Sequence, residues 1–201
     1  TAKLLWQTAP NLIGEVSLGE EGRIRFTTAD PFVEGNAVVA ACDADGAILW
    51  SWHLWLTSAD LEGSLHRYAL PYEGLGAAAV MDRNLGALAA AWQGSDNVSS
   101  YGMFYQWGRK DPFPYPALAT DAYTQAPTVY APGFEYAESN PRTSGTESPY
   151  DVMTLEWATA HPTTYMDGVF YEDWEEWTSV ADWLYVHHPN LWGNVTTGKN
   201  N

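Results

Sequence analysis

The chain has one cysteine, Cys42, in 201 residues. No internal disulfide can form, and no site built on several thiolates is possible. Cys42 closes the apolar run "NAVVAAC", so it reads as a small buried hydrophobe rather than a reactive thiol. Basic residues are also scarce. Nine Lys and Arg face 25 Asp and Glu, for a formal net charge of −16. Nucleic-acid backbones and anionic lipid surfaces are poor partners for such a chain. Sugars, cations and basic proteins remain compatible, beside the plain role of acidity in solubility. No apolar run approaches the length of a membrane helix. Any membrane attachment therefore calls for an anchor outside this chain. The sequence opens at Thr1 without a Met or signal peptide, as a processed or trimmed form would. No Walker loop, dinucleotide fingerprint, GxSxG elbow or HExxH motif occurs, and no internal repeat is visible. No cofactor and no metal site is expected.

What the chain does have is aromatic rings: 11 Trp, 12 Tyr and 6 Phe. Trp and Tyr combine a flat apolar face with a polar edge, which suits carbohydrate-facing or interface surfaces; the alternative is a core filled by large rings. The stretch "ILWSWHLWLT" sharpens the question. On an extended strand Ile48, Trp50, Trp52, Leu54 and Leu56 share one wholly apolar face, expected to be core. Leu49, Ser51, His53, Trp55 and Thr57 share the other, mixed face. Asp45-Gly46 is a hairpin signal, so residues 36–43 are expected to pair with 47–57.

Strands are also expected at "KLLWQ", "GEVSL" and "GRIRFTT". Residues 58–75 read as a polar connection, and 77–81 as a buried strand ending in Asp82-Arg83-Asn84. Ser99 or Ser100 is expected to cap a short helix carrying Tyr101, Phe104, Tyr105 and Trp107, ended by Gly108. Seven prolines between 111 and 150 exclude a long element there and predict an ordered aromatic loop. "SPYDVMTLEWATAHP" reads as a helix with Ser148 as N-cap, Pro149 at its first position and Pro162 as its stop. The acidic, Trp-rich tail 171–194 predicts one more short helix. Together these give an α+β, β-dominated single domain, 1–201, with short helices and long ordered aromatic loops.

Several clusters carry candidate chemistry. His187-His188 is a weak chelating pair, because adjacent side chains diverge on strand or helix. Glu172, Asp173, Glu175 and Glu176 would supply a carboxylate pair for glycoside hydrolysis, or simply a solvated acidic face. Asp82, Arg83, Arg109 and Asp111 are expected to form buried ion pairs that fix loop geometry, with a binding cleft as the alternative. No catalytic residue is assigned. The rings expected to meet a ligand lie off the core face: Trp55 with His53, Tyr105 and Trp107 beside Arg109 and Asp111, then Trp174 and Trp177 among their acids.

"ILWSWHLWLT", "VMDRNLGA", "SYGMFYQWGRKDPFP", "AHPTTYM" and "NLWGN" occur in an order that resembles the Fibrobacter succinogenes major paralogous domain. That domain belongs to secreted Bacteroides-type surface proteins, often fimbrillin-associated, and the resemblance covers about 36–195. It implies an extracellular or outer-membrane surface location and a fold related to C-type lectin-like domains. It carries no activity to individual residues. Such domains usually continue past the "LWGN" region into a segment with a cysteine, so a shorter or C-terminally truncated variant is expected. The expected function is a non-enzymatic binding or adhesion module with a glycan or another surface protein as ligand. The alternatives are a carbohydrate hydrolase using paired carboxylates and a structural assembly module of a surface appendage.

Overall fold

The computed structural model describes residues 1–69, 77–91, 98–114 and 154–164, together with Leu184 and Leu191. In chain order the strands are β1 (Ala2–Gln7), β2 (Ile13–Leu18), β3 (Ile24–Thr28), β4 (Gly35–Cys42), β5 (Ile48–Leu56), β6 (His66–Ala69), β7 (Ala77–Val80), β8 (Met103–Phe104) and β9 (Phe113–Pro114). Among the described residues two short α-helices, α1 (Val98–Tyr101) and α2 (Leu155–Ala160), and a 3-10 turn at Glu20–Gly22 accompany them. The described part is β-dominated, with few short helices and small antiparallel sheets.

The central sheet has the order β1-β4-β5, all antiparallel. β4 lies in the middle and is almost entirely buried, which its run of Ala and Val permits. The β4–β5 hairpin forms as its turn signal predicts. Asp43 Oδ1 accepts from the backbone N–H of Asp45 and of Ala47, and Gly46 takes φ +88°, a conformation that favours glycine. A register shift next to Cys42 leaves Leu49 as an extra, exposed residue.

The two faces of β5 are not used as the alternation predicts. Leu54 and Leu56 pack on Leu12, Ile13 and Ala37, a cluster fed by β2 and the loop before it. That cover reaches only one end of the face. Trp50 and Trp52, expected in the core, are 45% and 44% exposed. The mixed face is the covered one. It joins Ser51 with Asn36, Val38 and Ala40 of β4, all buried, under the segment around 105–111.

Other expectations are corrected as well. β7 forms close to the expected 77–81, yet Val80 is exposed, and its partner β6 lies in the stretch read as a polar connection. The helix expected to reach Gly108 ends at Tyr101. Gly102 turns to φ +75°, and a Cβ there would meet the Leu85 carbonyl oxygen at 2.5 Å. Met103 and Phe104 then pair with Phe113 and Pro114 instead of continuing the helix. The N-cap of α2 is Thr154, whose hydroxyl accepts from Trp157 N–H at 3.1 Å; Ser148 and Pro149 lie outside the described residues. Pro162 follows one residue after the His161 C-cap, as expected. The loop from 115 and the expected tail helix lie outside the described residues.

Cys42 is 5% exposed at the end of β4. It should resist thiol reagents in the native protein and react fully in denaturant. Fast labelling under native conditions would contradict the burial of this strand end.

Candidate functional site

The covered face of β5 holds a chain of polar groups. Asn36 donates its amide N–H to Gly86 O at 2.8 Å, which turns its Oδ1 toward His53 Nε2 at 2.9 Å. An amide oxygen only accepts, so Nε2 carries the proton. His53 Nδ1 is then the acceptor for the Tyr105 hydroxyl at 3.1 Å. Burial pushes His53 down to about 4. Burial, reinforced by the Asp111 carboxylate, pushes Tyr105 up to about 12. At neutral pH the relay is therefore uncharged and every hydrogen bond has a defined direction.

Two positions along the strand, Ser51 donates to Asp111 Oδ1 at 2.5 Å. The Asp111 carboxylate, 2% exposed, also takes Lys110 Nζ at 2.8 Å on each oxygen. The same ammonium donates to Ser51 Oγ and, at 3.4 Å, to the Ser51 carbonyl. It sits 4.6 Å from the centroid of the Trp50 ring. Desolvation lowers Lys110, and the hydrogen bond to Asp111 opposes it. Thus Lys110 touches the buried polar face through Ser51 and the exposed aromatic face through Trp50.

Of the four charged residues, Asp111 pairs with Lys110 at 2.8 Å, and its charge acts on Arg109 without a salt bridge between them. Arg109 instead caps the end of α2. It donates to the carbonyls of His161 at 3.0 Å, Thr164 at 2.5 Å and Ala158 at 3.4 Å, and stacks over Phe113. A guanidinium there meets both the unpaired carbonyls and the negative end of the helix. Burial lowers Arg109 to about 10, so it stays charged at neutral pH. Asp82 and Arg83 do pair, with Nε–Oδ1 at 2.8 Å and Nη2–Oδ2 at 3.1 Å. The forked contact depresses the Asp82 carboxyl and raises Arg83.

The structure thus brings His53, Tyr105, Arg109 and Asp111 to one side of β5, mostly buried. Trp55 is half-buried there, and its indole Nε1 has no hydrogen-bond partner among the described residues. Trp107 is 47% exposed. Trp174, Trp177, His187, His188 and the carboxylates Glu172, Asp173, Glu175 and Glu176 lie outside the described residues. Among the described residues no three His, Cys, Asp or Glu side chains gather as metal ligands. Asn36, Ser51 and Lys110 escape a reading of the sequence. Only the sequence "GRKDP" hints at them, since a lysine beside an aspartate invites pairing. Trp50 and Trp52 escape because their alternation matches core.

Comparison of the chain with protein-family models, with curated proteins and with solved structures finds no match.

The His53 relay gives a signed pH dependence. Its folded value of about 4 lies below the ordinary histidine value of 6.5, so the unfolded chain takes the proton first. The stability held by neutral His53 is complete above 6.5 and falls as pH drops from 6.5 to about 4. The loss should approach ~3 kcal/mol. Urea melts at pH 7 and pH 4.5 should show this slope in the native sequence and a weaker one in His53→Gln. Equal slopes would contradict the buried relay.

Proposed function

We propose that the chain is a non-enzymatic extracellular binding module of a bacterial surface protein that grips a glycan on the open face of β5. The carrying observation is the pair of half-exposed indoles, Trp50 and Trp52, side by side on a strand face that the other described residues leave partly open. Residues two apart on a strand are separated by about 7 Å, so one extended sugar chain spans both rings. The C–H face of a pyranose stacks on an indole, and the indole N–H supplies a donor for a hydroxyl. Large exposed apolar groups set side by side on a small domain mark contact surfaces. The resemblance to surface-protein domains supports the same reading, and a lectin-like architecture and an extracellular location belong with it.

The tryptophans of this reading are not those the alternation singles out. Trp55 and Tyr105 are held in the covered layer, where a ligand would have to displace protein.

A screen of purified glycans, with and without calcium, tests the reading. Trp50→Ala and Trp52→Ala should each weaken binding at least roughly tenfold. Each should cost no more than about 1.5 kcal/mol of stability, because both rings are already half in water. Undiminished binding in both variants would assign the ligand to another surface. Binding to no glycan, with both rings exposed in solution, would leave a protein partner as the occupant. A stability loss above about 3 kcal/mol would mean the rings are core after all.

A further inference from the structure

We propose that Lys110 is a positioning residue of the Trp50–Trp52 surface: it clamps the Trp50 indole from one side and, with its charge neutralised by Asp111, leaves a stacking surface that takes uncharged sugar rings rather than acidic ones. This rests on the glycan-binding reading above and adds the ligand class and the residue that sets it.

Three observations carry the inference. The ammonium of Lys110 lies 4.6 Å from the Trp50 ring centroid, within cation–π range, so one side of the indole is already occupied. The ammonium is itself anchored. Ser51 Oγ, the Ser51 carbonyl and both Asp111 oxygens surround it, and these four acceptors exhaust its three N–H donors. Asp111 and Ser51 are buried, so the anchor is fixed to the sheet rather than floating in solvent. A tethered cation under one side restricts the rotamers of Trp50 before any ligand arrives, and a ring already in place loses less entropy on stacking. The same anchoring removes Lys110 as a reader of anions. It has no donor left for a carboxylate, and the neighbouring Asp111 cancels its field. On a chain of net charge −16, an acidic polysaccharide gains nothing here and meets general repulsion. The surface therefore fits a neutral chain with flat C–H faces, such as β-1,4-linked glucose, whose substituents are all equatorial.

The clamp is tested without ligand. In NMR spectra of the native protein the Lys110 ε-protons should be shifted upfield by the indole ring current, and Trp50→Ala should abolish the shift. The Trp50 indole N–H should relax as a rigid group. In Lys110→Met/Asp111→Asn, which removes both charges and leaves no lone buried carboxylate, that N–H should become mobile. Lys110→Arg keeps a cation over the ring and should keep it rigid. An unshifted Lys110, or an equally rigid Trp50 in the double variant, would overturn the clamp.

The charge preference is tested with cellohexaose and the β-1,4-linked glucuronic acid hexamer. The native protein should bind the neutral sugar, insensitive to salt, in preference to the acidic one. The double variant should bind cellohexaose roughly three- to tenfold more weakly. Asp111→Asn alone frees the Lys110 charge and should raise affinity for the acidic hexamer at low salt. Preference of the native protein for the acidic hexamer, or no gain in Asp111→Asn, would overturn the assignment. Binding of neither sugar would overturn the assigned ligand class and leave the glycan reading to the screen, while the NMR signals decide the clamp by themselves.

Discussion

The segment 103–114 is held against the β4–β5 hairpin by directed hydrogen bonds set into an apolar layer. Asn36, His53 and Tyr105 form one line of contacts, and Ser51, Asp111 and Lys110 form another. Buried polar groups of this kind tolerate no partial solution. Each donor left without an acceptor would cost about as much as the bond contributes, or more. They therefore specify one placement of the segment on the strand, where greasy packing would admit several. Arg109 extends the same logic to α2, whose terminal carbonyls converge on its guanidinium.

The choice of which face of β5 to cover follows from these bonds. A three-stranded sheet must bury at least one face, and the segment that does so here brings polar partners for Ser51 and His53. Among the described residues, the cluster around Leu12 and Ile13 packs on the opposite face at its Leu54–Leu56 end. Two tryptophans are left beyond it. Exposing indoles forgoes burial energy of a few kcal/mol. Lys110 joins the two faces. The contact that completes the buried ion pair also steadies the exposed ring.

Much of this could be read in the chain without coordinates. The hairpin was set by Asp45-Gly46 and the β-rich runs on either side. The buried end of "NAVVAAC", the Asp82–Arg83 fork and the stop of α2 before Pro162 follow from local chemistry, because each depends on residues close in sequence. Elements that depend on distant partners were not legible. Gly102 ends the expected helix by turning to a left-handed φ of +75°, which lets Met103 N–H reach the distant Leu85 carbonyl at 2.8 Å. Thr154 caps α2 through its hydroxyl, a choice that several Ser and Thr residues in this stretch leave open in the sequence.

The alternation of "ILWSWHLWLT" by itself determined that five apolar side chains share one face of a strand and five mixed ones share the other. It could not determine which face would be inside. Periodicity fixes the relative orientation of side chains, but burial is decided by what arrives from elsewhere in the chain. Here residues some fifty to sixty positions away brought Tyr105, Lys110 and Asp111 to the mixed face. Only the tertiary structure could decide that the polar face be sealed by hydrogen bonds while Trp50 and Trp52 stay half-exposed, because Ser51 and His53 are satisfied by Asp111 and Tyr105, partners that no local pattern encodes.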